Sequence, residues 1–372
     1  MRLHSRLSRR LGVFLQMLAL AACGSHGELA FAPEAAQVGT VERVLVSTTR
    51  APTEGALLFG SARSSKPNYA RFEVSVPPQH DFGTISFPKG SNADPTTDFL
   101  VVSNRQLPDT AAFTRAINDD LVQTSPGHRP AWLFVHGYNT NFAEGLYRQV
   151  QMQHDMKRPW ASIHFSWPSA AQTRYYGYDR ESAVYSRQGL MTTLDAMARS
   201  NATEFNVVAH SMGTALLMDT LWIMAQSGHD EFFRKVNLVV LMSPDMSVDV
   251  FRQQAPRLLD RGVPMFVVVN KDDKALRASA RLRGEERRLG LVNSIRELAG
   301  LDVGLVDVTT IKSGDRIGHF KVGTSPEVIS FIRGLHESGQ AVFAGRQPGI
   351  LESGASLIQQ GSDVIVTPLS AR

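Results

Sequence analysis

The sequence predicts an α/β fold, a mostly parallel sheet covered by helices on both faces, and three observations carry that expectation. Near-continuous apolar runs at residues 131–135, 162–165, 205–208, 236–242, 263–269 and 303–308 have the composition of strands buried on both faces. Between them lie segments of helical length and spacing, near 141–156, 181–199, 213–226, 248–259 and 273–281, with a last one at 326–336. In the middle of this alternation the run Phe205-Asn206-Val207-Val208 ends at Ala209-His210-Ser211-Met212-Gly213 and passes directly into a helix. A serine at a sharp strand-to-helix turn, with small residues two positions to either side, is the layout of a nucleophile elbow.

Taken in order, the chain begins with a leader. Residues 1–10 carry Arg2, Arg6, Arg9 and Arg10 and no acid, residues 11–20 are mostly apolar, and Leu20-Ala21-Ala22-Cys23-Gly24 follows. This is the pattern of a signal peptide over residues 1–22, with an apolar stretch too short to span a bilayer. Its end resembles a bacterial lipobox, which implies that Cys23 is acylated and becomes the mature N-terminus. The expectation is a protein anchored by lipid in the cell envelope, facing the periplasm. Gly24 rather than Asp after the cysteine points to the outer membrane. Ordinary cleavage after Ala21, leaving a soluble periplasmic or secreted protein, is the alternative. Residues 24–41 are small, polar and aperiodic, and read as a tether from residue 23 to a domain over 42–337. Within the domain, strands are expected at 43–49, 72–76, 84–87 and 99–103, and a helix at 109–122. From 338 onward Gly, Ser, Gln and Ala dominate, which reads as a loosely ordered tail with one isolated strand pattern at 363–367.

Removing the leader changes the charge. The formal charge of +4 and pI near 9.3 include the four leader arginines, so the remaining chain is close to neutral. The electrostatic case for a nucleic-acid partner disappears with them. Cys23 is the only cysteine, and once it is acylated or removed with the leader no disulfide can form, so stability must come from the core. A chain of this length with 43% hydrophobic residues can bury one. No metal-ligand spacing and no Gly-rich phosphate loop after a strand is present, so neither metal nor cofactor is expected.

The Ser211 turn is weak evidence alone. A small-x-Ser-x-Gly pentapeptide occurs by chance in roughly one chain in three, and a serine capping the next helix would explain it as well. The surrounding pieces raise its specificity. They are Val46-Ser47-Thr48-Thr49-Arg50, Phe134-Val135-His136-Gly137-Tyr138-Asn139-Thr140, Phe165-Ser166-Trp167-Pro168-Ser169, the Ser211 pentapeptide and Asp273-Lys274-Ala275-Leu276. With them the chain resembles the α/β-hydrolase superfamily over about residues 43–336, and within it a functionally uncharacterised bacterial family. Ala209 departs from the commonest elbow, which has Gly there, but Ala is still small.

The resemblance implies an acyl transfer in which Ser211 attacks a carbonyl carbon and water resolves the acyl-enzyme. In this superfamily the acid and the histidine follow the serine in chain order, each on a loop after a strand. His319 is the histidine after the last strand. His136 and His210 sit elsewhere, and the side chain of His210 is expected to point away from Ser211. For the acid, Asp273 is favoured, Asp245 second and Asp272 third, each having the alternative role of capping the next helix. The backbone N–H groups of Met212 and Tyr138 are the expected oxyanion donors. Trp167 and the stretch Tyr175-Tyr176-Gly177-Tyr178 either line a substrate site or pack over the sheet edge. No long lid-like insertion separates the strands, which favours small or exposed esters. The reading is a serine carboxylesterase or related acyl-hydrolase acting on a small-molecule acyl substrate. Its rival is a catalytically silent envelope lipoprotein that uses the same fold for binding.

Overall fold

The computed structural model describes residues 26–54, 59–89, 92–122, 124–125, 127–157, 160–284, 287–311, 319–338 and 365–367. The leader, Cys23 and most of the tail lie outside the described residues. The strands are β1 (Thr40–Pro52), β2 (Phe59–Val76), β3 (Leu100–Leu107), β4 (Pro130–Val135), β5 (Ala161–Ser166), β6 (Glu204–His210), β7 (Val236–Met242), β8 (Met265–Val269), β9 (Gly304–Asp307) and β10 (Ile365–Thr367). They form one sheet in the order β10-β9-β8-β7-β6-β4-β5-β1-β2-β3. Pairing from β1 through β5, β4, β6, β7 and β8 to β9 is parallel, and only β2, β3 and β10 join antiparallel.

The helices are α1 (Thr110–Leu121), α2 (Phe142–Met156), α3 (Tyr176–Tyr185), α4 (Arg187–Ala198), α5 (Met212–Gln226), α6 (Asp230–Lys235), α7 (Val248–Leu259), α8 (Lys274–Arg283), the single turn α9 (Lys321–Thr324) and α10 (Pro326–Ser338). The period-2 geometry of a strand sends alternate side chains to opposite faces. Along β4, Leu133 and Val135 enter one apolar layer with Leu194 of α4, Leu217 of α5 and Phe251 of α7. Trp132 and Phe134 enter the other, with Met152 of α2 and Val328 of α10. Every residue of β4 and of β5 is buried, so β4 reads as an unbroken apolar run, while β5 alternates apolar residues with the buried Ser162, His164 and Ser166.

The chain leaves β4 to form β5 on one side and returns to form β6 on the other. The reversal opens a crevice beyond the C-terminal ends of these strands, where ligands of open α/β sheets bind.

Three local expectations are corrected. Residues 84–87 form no strand. Ile85 and Phe87 instead pack against the layer holding Phe72 and Tyr147, so their alternation marks a common packing face. The helical stretch at 181–199 is two helices, α3 and α4, meeting at Ser186, whose hydroxyl donates to the Ser182 carbonyl at 2.7 Å. Helix α6 had no expectation. The expected tether is docked from residue 26. Residues Pro33–Gln37 form a 3-10 helix, Ala35 is fully buried and the Ala32 N–H donates to the Val101 carbonyl at 3.0 Å. The strand pattern in the tail is seen at β10, paired antiparallel with β9.

Candidate active site

Ser211 joins β6 to α5 with φ 51° and ψ −123°, a conformation that an L-residue adopts only under constraint. Its neighbours supply that constraint. The Ser211 N–H donates to the Met242 carbonyl at 2.9 Å, and its own carbonyl accepts from Asp245 N–H at 3.2 Å and Thr214 N–H at 3.0 Å. The side chain makes no capping bond to α5, so the bland reading of this serine as a helix cap does not hold. A Cβ on Gly213 would lie 2.3 Å from the His136 carbonyl oxygen. The crowding that requires glycine there comes from the end of β4.

The loop after β4 reaches the same point. A Cβ on Gly137 would sit 2.6 Å from His210 Nδ1 and 2.9 Å from Ser211 Cβ, so glycine lets this loop lie directly against the serine. Tyr138 turns its hydroxyl outward to donate to the Thr173 carbonyl at 2.6 Å. Asn139 has φ 55°, a value that Asn tolerates better than most residues.

Three buried groups hold this loop, and the sequence reading gave none of them a role. Asp179 of α3 accepts from Asn139 N–H at 3.3 Å, Ala170 N–H at 2.7 Å and the Ser169 hydroxyl at 2.5 Å. Ser169 Oγ accepts in turn from Thr140 N–H at 3.2 Å. The fully buried Arg50, at the end of β1, donates to the carbonyls of Thr140, Ser169 and Gly60 and to the Ser166 hydroxyl. Burial lowers the Arg50 guanidinium to about 10 and raises the Asp179 carboxyl. Arg50 carried a sequence signal, as the last residue of the Ser-Thr-Thr-Arg stretch. Asp179 carried none.

His319, just before α9, donates from Nδ1 to Asp273 Oδ2 at 2.7 Å. Asp273 is completely buried, and its other oxygen accepts from Leu276 N–H at 2.9 Å as the N-cap of α8. One carboxylate thus both meets His319 and caps α8. Asp245 is engaged elsewhere, accepting from Ser279 Oγ at 2.7 Å and Tyr176 OH at 3.1 Å, with Arg288 Nε 3.4 Å away. Asp272 is largely exposed beside Arg277.

His210 differs from expectation. Its ring lines the cavity beside Ser211 and donates from Nε2 to the His319 carbonyl at 3.0 Å. Burial, with His319 nearby, holds its basicity well below the usual histidine value, so it stays neutral. The buried His136 is lowered likewise, chiefly by burial, and stacks 4.8 Å from Trp167, whose indole donates to the His136 carbonyl at 2.7 Å. The aromatic stretch divides. Tyr176 lines the cavity, whereas Trp167 is core and Tyr178 packs against Arg63, 4.6 Å from its ring centroid.

Ser211, His319, Gly137 and Tyr138 face one cavity of about 780 Å³, walled on its apolar side by Ile85, Phe87, Phe134 and Leu276. Arg148 of α2 lies at this wall with its guanidinium 4.6 Å from the Phe320 ring centroid, and it donates to the Gly83 and Gly323 carbonyls. It thereby ties the wall segment to the turn that follows His319. Among the described residues, no group of three or more His, Cys, Asp or Glu side chains could hold a metal ion.

A parallel sheet with a strained serine after β6 and an acid–histidine pair after β8 and β9 is the α/β-hydrolase arrangement. Residues 109–335 match the family model described as Alpha/beta hydrolase of unknown function (DUF900), and the chain belongs to that family. No curated protein matches it. Among solved structures, an esterase of Pyrobaculum calidifontis aligns at 14% identity and TM-score 0.36, over 81% of this chain and 85% of its own. EstE1, a carboxylesterase from a metagenomic library, aligns at 14% identity and TM-score 0.34, over 92% and 98%. Esterase B of Lactobacillus rhamnosis aligns at 10% identity and TM-score 0.37, over 94% and 99%. At these scores the alignments add nothing to the family assignment.

Proposed function

We propose that this α/β-hydrolase is a serine carboxylesterase, or a closely related acyl-hydrolase, held at the cell envelope through an acylated Cys23. The observation that carries the catalytic part is the 2.7 Å bond from His319 to buried Asp273, at a cavity shared with Ser211. His319 Nε2 takes the proton of Ser211 Oγ as the oxygen attacks the ester carbonyl carbon. Asp273 holds the Nδ1–H tautomer and stabilises the imidazolium that forms. The N–H groups of Met212 and Tyr138 receive the developing oxyanion. His319 then returns the proton to the departing alcohol, and a water molecule repeats the sequence to release the acid and restore Ser211.

The test is labelling by a fluorophosphonate probe, which requires an activated serine rather than the fold alone. Labelling that is lost in Ser211→Ala and His319→Ala, together with turnover of a panel of acyl esters lost in the same variants, is the expected result. An unlabelled wild-type protein, or wild-type turnover in either variant, sinks the assignment. For the anchor, a palmitate analogue should label the wild type and fail to label Cys23→Ser. Recovery of unlabelled chain starting at Ala22 overturns it.

A further inference from the structure

The chain is docked onto the wall of the cavity only three residues after Cys23. His26 Nδ1 donates to Glu144 Oε1 at 2.8 Å, and the Gly27 N–H donates to the same oxygen at 3.3 Å. Asn141 Nδ2 donates to the Gly27 carbonyl at 2.8 Å, so both capping residues at the start of α2 grip this segment. Gly27 lies so close to Phe87 that a Cβ on it would fall 2.1 Å from the ring. Glu144 and Phe87 both line the cavity that holds Ser211. The attachment point of the N-terminal segment is therefore part of the cavity wall.

The length of chain from residue 23 to residue 26 now becomes decisive. Three residues span at most roughly 10–11 Å when fully extended. A lipid on Cys23 thus fixes the bilayer surface within that distance of His26, and so close to the cavity. Elsewhere on the cavity lining, Leu282 is 73% exposed and Lys274 is exposed. An apolar side chain and a cation standing in solvent suit the acyl boundary and the anionic headgroups of a membrane.

We infer that the Ser211 cavity opens onto the membrane surface and that its substrates are acyl esters of bilayer-resident lipids. This rests on the serine acyl-hydrolase reading and on acylation of Cys23. The short leash keeps the site and an ester at the headgroup level in constant encounter, which raises the effective concentration of that ester without any added contact.

The experiment uses the full acylated protein in vesicles of phosphatidylethanolamine and phosphatidylglycerol. Insertion of twenty Gly/Ser residues between Ser25 and His26 gives a flexible leash of about 25 Å root-mean-square length. Two rates are compared, one on a fluorogenic long-chain ester carried in the vesicles and one on a soluble short-chain ester. The inserted variant should lose about tenfold or more on the vesicle ester and retain its kcat/KM on the soluble one. In parallel, Leu282→Cys carrying an environment-sensitive fluorophore should be quenched by brominated lipid. The same label on Val122→Cys, exposed right after α1 on the connection that leads into the N-terminal end of β4, should not be.

Unchanged rates on both esters, or a Leu282 label no better quenched than the Val122 label, overturn the inference while leaving the acyl-hydrolase reading intact. Absent palmitate-analogue labelling overturns the anchor and the inference with it. An absence of turnover on every ester overturns the catalytic reading and the substrate class, while the quenching still decides which way the cavity faces.

Discussion

A single missing methyl group at residue 137 sets how near the loop after β4 comes to Ser211. Gly137→Val would push that loop off His210 and Ser211, displacing the Tyr138 amide from the oxyanion position proposed for it. The expected cost is about 2–4 kcal/mol in kcat/KM, the worth of one such donor, with thermal melts showing whether the fold persists. Tyr138→Phe removes only a bond to the Thr173 carbonyl and should cost about 1 kcal/mol or less. The choice of acid gives a second prediction. Asn caps helices about as well as Asp, so Asp273→Asn should retain α8 while lowering kcat on the order of 10⁴-fold. Asp245→Asn should act mainly on stability, and a larger activity loss there would move the acid. Ser211 was legible because its turn constrains its sequence neighbours. Asp273 was only one of three candidates, since β7 and β8 are each followed by aspartates that could cap the next helix. Which one meets His319 depends on contacts between residues 46 positions apart.

At the scale of elements, the end of β1 matters more than its sequence suggested. Arg50 spreads four side-chain hydrogen bonds over β2, the end of β5 and the loops that follow β4 and β5. Lysine cannot reproduce a planar fork. Arg50→Lys should therefore lower stability by about 3–5 kcal/mol, as two or more charged hydrogen bonds are lost, and chemical denaturation measures it. The N-terminal segment has a pH dependence. The hydrogen bond to Glu144 raises the His26 pKa above its ordinary value, against the opposing effect of burial. A raised histidine favours the folded state in full below its unfolded pKa, near 6.5, and that contribution is lost as pH rises through the folded value. The melting-temperature gap between wild type and His26→Gln should accordingly be widest below pH 6 and shrink toward pH 9. A gap independent of pH would show that the ring merely packs. The buried central strands were readable because burial on both faces writes itself as an apolar run. Residues 84–87 and 181–199 were not, because apolar spacing reports which side chains are buried and is silent on which backbone groups pair. Residues 26–41 look like a linker because they dock largely through backbone bonds and small buried side chains, Ala32 and Ala35, with Leu29 the one large apolar anchor.

Across the whole molecule, the site gathers residues from the ends of β4, β6, β8 and β9, so only the completed sheet brings them together. The overall architecture was legible from the alternation of strands and helices, whereas the cavity wall depended on long-range packing of residues 83–87 against α2 and α9. The backbone of Ser211 has a further consequence for thermostability. A residue at φ 51° and ψ −123° carries strain of about 1–3 kcal/mol, and glycine would relieve it at a cost of about 0.5–1 kcal/mol in unfolded-chain freedom. Ser211→Gly should therefore melt about 2 °C above the wild type, while Ser211→Ala, which keeps its Cβ, should show no such gain. A Ser211→Gly protein that melts at or below the wild type would mean the turn is relaxed. If it melts higher, selection for heat resistance alone would tend to erase the serine, and the residue persists only where turnover is selected as well.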